Sequence, residues 1–337
     1  MPRSNGKQAR NWIRLAVGTP LQTGICLLAL VAIIGGSLYA VFAAGSNSQA
    51  DPRVSITPRS GPPSKSPTPR SNLRVDVKMI LVPVTVTDLR DRPVMDLPLE
   101  AFHLYEGDIE QKIVCIFREE GPVSVGFIFD SSASMRKRMD RSIKAVDQFL
   151  KGGASGDEFF LIQFSDRVSL VQRFTADPDA ILSGLSVIQP EGWTALIDAI
   201  YLGVQQMKSA KHSRRALFVL SDGGDNNSRY TESEIINLVR ESDVRIYAIG
   251  LFERPRFLEK LAIETGGRAY LAHTLKDLPE AVERISTELR NQYTLGYYSS
   301  YPRNDGKYRN VKVAVTPPPP LKSLNIQWRH GYYAPVD

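Results

Sequence analysis

Three short stretches of this chain carry hard oxygen donors at spacings suited to a single centre. Asp130-Ser131-Ser132-Ala133-Ser134 sets a carboxylate and two hydroxyls at alternate positions. Gly192-Trp193-Thr194 adds a third hydroxyl, and Ser221-Asp222-Gly223-Gly224 a second carboxylate. Two carboxylates and three hydroxyls, with no thiolate or imidazole, suit Mg²⁺, or alternatively Mn²⁺ or Ca²⁺, rather than zinc. Taken singly, Ser132, Ser134 and Thr194 also read as helix N-caps and Asp222 as a turn residue. Other chemistry is poorly supplied. The four histidines, His103, His212, His273 and His330, are scattered, and no Gly-x-x-x-x-Gly-Lys-Ser/Thr loop is present. Ser132 and Ser134 have no histidine base nearby for nucleophilic hydrolysis.

Such loops need a scaffold that gathers strand ends. From about Pro122 the sequence alternates short apolar runs with amphipathic stretches. Val123–Phe129 and Phe159–Phe164 are β-rich runs suited to buried strands. Val168–Phe174 alternates and suits an antiparallel edge. Met139, Ile143, Val146, Phe149 and Leu150 recur at helical spacing, with Gly152-Gly153 as the stop. Further helices are expected at Asp179–Ile188, Ala195–Met207, Glu232–Ser242, Arg256–Thr265 and Leu278–Asn291. Strands are expected at Ala216–Leu220, Val244–Leu251 and Arg268–Leu271. This alternation predicts an α/β fold, a doubly wound, mostly parallel, Rossmann-like sheet with helices on both faces. Ligands of such sheets bind at the carboxyl ends of the strands, where the oxygen-rich loops fall.

Asp-x-Ser-x-Ser at 130–134, Gly-x-Thr at 192–194 followed by Ala-Leu-Ile-Asp-Ala-Ile, and Ser-Asp-Gly at 221–223 resemble the three loops of a von Willebrand factor type A (VWFA) domain. The resemblance covers about residues 121–290. It implies a metal-ion-dependent adhesion site (MIDAS) in which Asp130, Ser132, Ser134, Thr194 and Asp222 hold Mg²⁺ directly or through water. It also implies an open coordination position for an Asp or Glu carboxylate of a protein partner. Beside the site, Trp193 is either a core residue or an interface anchor, and Asp225 and Asn226 would extend a polar partner-binding rim. Flanking motifs at Leu97–Phe102, Tyr105-Glu106-Gly107, Tyr293–Tyr297, Gly306–Val311 and Arg329–Tyr332 are similar to those of a bacterial VWFA-related family.

The flanks, 73–120 and 291–337, read as strands: Leu73–Val77, Ile80–Thr87, Phe102–Tyr105 and Ile113–Arg118, then Tyr293–Tyr298, Tyr308–Val315 and Leu324–Trp328. Each has fewer than about 50 residues, too few for a stable core alone. The expectation is one β-sandwich-like domain made by both flanks, with 121–290 inserted. Cys115 is expected to be a buried strand residue.

The 337 residues carry 42 Lys+Arg against 36 Asp+Glu, with a pI near 9.2. Eight of the basic residues, against Asp51 alone, lie in 1–72; the other 265 residues hold 34 basic and 35 acidic side chains. The part expected to fold is nearly neutral, which argues against a nucleic-acid partner. Residues 25–44 are 20 uncharged positions, long enough as a helix to cross roughly 30 Å of hydrocarbon. The four positive residues of segment 1–24 favour a cytoplasmic N-terminus. The expected location is the inner (cytoplasmic) membrane, single-pass, with the bulk of the chain extracytoplasmic in the periplasm. A cleaved signal with a secreted product is the alternative. Segment 45–72, with six prolines and seven serines, reads as an extended tether. The expected function is a membrane-tethered, adhesion-like protein-binding module and not an enzyme. A metal-dependent hydrolase or phosphoesterase, or an assembly subunit of a larger envelope complex, are the alternatives.

Overall fold

The computed structural model describes residues 79–301 and 305–336. The expected N-terminal segment, anchor, linker and Leu73–Val77 strand lie outside the described residues. Among the described residues, no helix is long and apolar enough to cross a membrane.

The described chain opens with β1 (Ile80–Thr87), β2 (Phe102–Glu106), β3 (Ile109–Gln111) and β4 (Ile113–Arg118). An α/β unit follows: β5 (Ser124–Asp130), α1 (Met139–Lys151), β6 (Glu158–Phe164), β7 (Val168–Thr175), α2 (Pro178–Ser186), α3 (Leu196–Met207), β8 (Arg215–Ser221), α4 (Glu232–Glu241), β9 (Val244–Leu251), α5 (Arg256–Thr265), β10 (Ala269–Ala272) and α6 (Leu278–Arg290). The chain then returns to strands in β11 (Tyr293–Tyr297), β12 (Tyr308–Val315), β13 (Asn325–Trp328) and β14 (Gly331–Tyr333).

Six strands form one sheet in the order β10-β9-β8-β5-β6-β7, parallel except for β7, which runs antiparallel to β6. Strands β5 and β9 are buried along their whole length, as unbroken apolar runs require when helices cover both faces. On one face, Val146 and Phe149 of α1 and Ile285 and Leu289 of α6 pack against Phe127 and Phe218. On the other, Ile200 of α3, Ile235 of α4 and Leu258 of α5 pack against Ile128 and Val219. Strand β5 has β6 on one side and β8 on the other, so the strand order reverses there. That switch point opens a crevice at the carboxyl ends of β5 and β8. Helix α1 starts only at Met139 because Ala133–Lys137 first makes a short 3-10 turn that carries the oxygen-rich loop.

Gly126, at the middle of β5, lies under the ring of Phe160 on β6, and a Cβ there would fall 2.1 Å from Phe160 Cζ. Phe160 is fully buried and meets Phe174 edge-on at 4.9 Å, so its ring has no room to retreat. Gly126→Ala is expected to cost about 3 kcal/mol, the upper end for overpacking a core. Urea denaturation measures it, and a loss below about 1 kcal/mol would mean that Phe160 can move aside.

The remaining strands form two four-stranded sheets, β13-β1-β11-β4 and β14-β12-β2-β3, each drawing strands from both ends of the described chain. They share one apolar core, with Val84 and Leu295 from the first sheet and Leu104 and Val313 from the second. Tyr297 Oη also donates to the buried Glu106 Oε2 at 3.0 Å between the sheets. Two strands were not expected: β3 and β14 have three residues each, too few for a periodic signal. Cys115 departs from the expectation of burial and is only half-buried. It sits on edge strand β4 beside Gly296, which has no side chain to cover it.

Candidate metal centre

Neighbouring strands β5 and β8 end side by side, which brings the first and third oxygen-rich loops together. Ser221, the last residue of β8, donates from Oγ to Asp130 Oδ2 at 2.6 Å. The Ser132 N–H donates to the other carboxylate oxygen, Oδ1, at 2.8 Å. Asp130 is fully buried, and that burial pushes its carboxyl above the usual carboxylate range, against the hydrogen bonds of Ser221 and Ser132 and the charge of Arg138. Ser132 Oγ and Ser134 Oγ are 2.9 Å apart, and Ser134 Oγ donates to Asp222 Oδ1 at 2.8 Å. The other oxygen of Asp222, Oδ2, is buried, forms an ion pair with the Arg138 guanidinium and accepts no hydrogen bond.

Thr194 joins this group through the backbone. The Ala133 N–H donates to the Gly192 carbonyl at 3.1 Å, and the Glu191 N–H to the Ser131 carbonyl at 2.9 Å. The Thr194 N–H donates to Asn226 Oδ1 at 2.8 Å, while its carbonyl accepts from the Asn226 and Asn227 N–H groups. Gly192 adopts φ +77°, and a Cβ there would fall 2.4 Å from Asp166 Oδ2. Asp166 follows β6 and accepts from the Trp193 N–H at 2.6 Å, which closes the turn. Trp193 itself is 66% exposed, so it is not a core residue.

The two side chains expected on the rim are engaged within the loop. Asp225 accepts from the Ile197 N–H at 3.1 Å and from Ser228, capping the start of α3, and Asn226 holds Thr194 as described. Ser221, Asp166 and Arg138 were missed as partners of the centre. Asp166 and Ser221 lie at the ends of strands on the same sheet edge, a signal that position alone offered. Arg138 carried none, because its contact with Asp222 depends on the 3-10 turn.

Residues 125–224 match the family described as von Willebrand factor type A domain. The chain carries a von Willebrand factor type A domain. Inter-alpha-trypsin inhibitor heavy chain H4 of Homo sapiens is 28% identical over 201 residues, which are 54% of this chain and 22% of that protein. An uncharacterized protein of Borreliella burgdorferi is 24% identical over 193 residues, 54% of this chain and 56% of that one. The match thus spans about 22% of the length of the heavy chain. Among solved structures, von Willebrand factor type A from Catenulispora acidiphila superposes with a TM-score of 0.47 at 13% identity, covering 70% of this chain and 73% of that one. In the type A domain of this chain, the oxygen donors are two carboxylates and neutral hydroxyls. No group of three or more His, Cys, Asp or Glu with metal-holding geometry occurs among the described residues.

Proposed function

We propose that this chain is a membrane-tethered, extracytoplasmic protein-binding module whose type A domain takes a divalent cation, Mg²⁺ foremost, at Asp130, Ser132, Ser134, Thr194 and Asp222. The observation that supports this most is the linked run Asp130, Ser132, Ser134 and Asp222 at the switch point, an all-oxygen donor set with a buried carboxylate oxygen that accepts no hydrogen bond. When bound, the cation would supply an electrophilic position for a carboxylate of a partner protein. The residues of the chain do the rest: the carboxylates neutralise charge, the hydroxyls orient, and Trp193 offers an exposed aromatic anchor beside the site.

In the same proposal, residues 25–44 anchor the chain in the inner membrane, 45–72 tether it, and segments 73–120 and 291–337 form one β-sandwich-like domain around the inserted 121–290. The shared core of Val84, Leu104, Leu295 and Val313 supports the last part.

The test is capture of envelope proteins by the full chain, wild type against Asp130→Ala and Ser134→Ala, in Mg²⁺ or in EDTA. A partner retained only by the wild type with Mg²⁺ is expected. A partner held equally by all three proteins and in EDTA would sink the cation-bridged mechanism.

A further inference from the structure

The cation already at the site is part of the protein. The Arg138 guanidinium is paired with Asp222 Oδ2, the carboxylate oxygen proposed above for a divalent ion. Arg138 stands just before α1, at the positive end of the helix dipole, where a cation gains nothing from the backbone. Two side chains hold it there instead. One is Asp222, whose side chain is 2% exposed against 27% for that of Arg138. The other is Phe252, at the end of β9, whose ring lies under the guanidinium with 4.5 Å from Cζ to the ring centroid. Phe252 adopts φ +69°, a left-handed conformation that is costly for an aromatic residue, and its N–H is fixed to the Ala272 carbonyl at 2.8 Å. Phe252 nevertheless stays 43% exposed, with its ring packed under Arg138.

We infer that Arg138 is a built-in competitor for the metal site: the guanidinium and a divalent cation use the same Asp222 oxygen, so loading the ion releases Arg138 from Asp222. One carboxylate oxygen with its inner side buried cannot serve both cations at contact distance, and the two positive charges repel each other in a partly buried setting. The Phe252 stack sets how firmly the competitor is held. Arg138 thus sets the cation concentration at which the site fills, and in the empty state it neutralises a carboxylate that would otherwise be buried without a counter-charge. This rests on the metal reading of the site given above.

The experiment is a Mn²⁺ titration of the full chain after EDTA treatment, read by the free-Mn²⁺ electron paramagnetic resonance signal. It uses wild type, Arg138→Gln, Phe252→Ala and Asp130→Asn. Arg138→Gln is expected to bind Mn²⁺ about tenfold more tightly than wild type, the equivalent of one charge-assisted contact removed from competition. Phe252→Ala, which keeps the charge and loosens its seat, is expected to bind a few-fold more tightly, and Asp130→Asn not to bind. Equal affinity of wild type and Arg138→Gln, with binding lost in Asp130→Asn, would overturn the competitor while leaving the metal site standing. Tighter binding by Arg138→Gln with Phe252→Ala at the wild-type value would also overturn it, because only the field of one charge would then be acting. No binding by any of the four proteins would overturn the metal site itself, and the competitor with it.

Discussion

Asp130→Asn is expected to lower divalent-cation affinity by at least ~100-fold, more than the 10–100-fold typical of losing an outer partner of a metal ligand. The fold should survive, because an amide can still accept from the Ser132 N–H while donating toward Ser221 Oγ. In EDTA the variant should also lose a pH dependence that the wild type has. The carboxyl of Asp130 lies above its usual 3.8 because burial outweighs its hydrogen bonds. Between 3.8 and the raised value, the native state holds a proton that the unfolded chain has released, so stability falls as pH rises through that window. Below 3.8 both states are protonated and the stability is fully present. Above the raised value the loss is complete. Thermal unfolding in EDTA from pH 3.5 to 7 measures this as the wild-type minus Asp130→Asn difference, which should move against the wild type as pH increases. A difference flat with pH would mean that Ser221, Ser132 and Arg138 fully offset the burial.

The largest loss of stability is expected from Glu288→Ala. Glu288, in the last turn of α6, is 1% exposed and accepts from Arg268 Nη1 at 2.8 Å and from Tyr270 Oη at 2.6 Å. Burial pushes its carboxyl up, and Arg268 and Tyr270 hold it down. Arg268 also pairs with Asp91, in the connection between β1 and β2, at 2.8 Å, and Arg284 of α6 reaches the same aspartate. Truncating Glu288 leaves a largely buried guanidinium and a phenol short of an acceptor, which costs about 3–5 kcal/mol. Guanidinium denaturation of the full chain gives the value. The double variant Glu288→Leu with Arg268→Met should recover much of the loss, since an apolar pair removes a buried charge left with Asp91 as its one carboxylate partner. If the double variant loses as much stability as Glu288→Ala, neither the uncompensated charge nor the lost side-chain volume accounts for the loss.

Most of the α/β scaffold could be read from periodicity. The runs Val244–Leu251 and Arg256–Thr265 appear in the structure with the expected bounds, as β9 and α5. The antiparallel edge expected near Val168 is β7. These signals are local: a buried strand shows an unbroken apolar run and an amphipathic helix a 3.6-residue period. The oxygen loops were also legible, because each follows a strand or opens a helix. What stayed hidden depends on contacts distant in sequence. Asp166 and Gly192 meet across 26 positions, Arg138 and Asp222 across 84, and neither pair follows a period. Asp225 was read as a surface feature because an acidic residue in a Gly/Asn-rich loop looks solvated. In the folded chain its carboxylate is needed by the exposed N–H groups at the start of α3.

The way the type A domain leaves the strands around it has a mechanical consequence. It is joined to β4 and β11, adjacent antiparallel strands, at the end of the ladder where Arg118 pairs with Tyr293. Strand β11 in turn pairs with β1 from Ile80↔Tyr297 to Val84↔Tyr293. With the chain held on its N-terminal side and a ligand pulling at the Asp130 edge, tension enters β11 at Tyr293 and leaves β1 at Ile80, from opposite ends of one ladder. That is shear: the hydrogen bonds of all five paired positions are loaded together instead of opening one at a time. Under such a load, this connectivity lets the chain bear tension through its sheets.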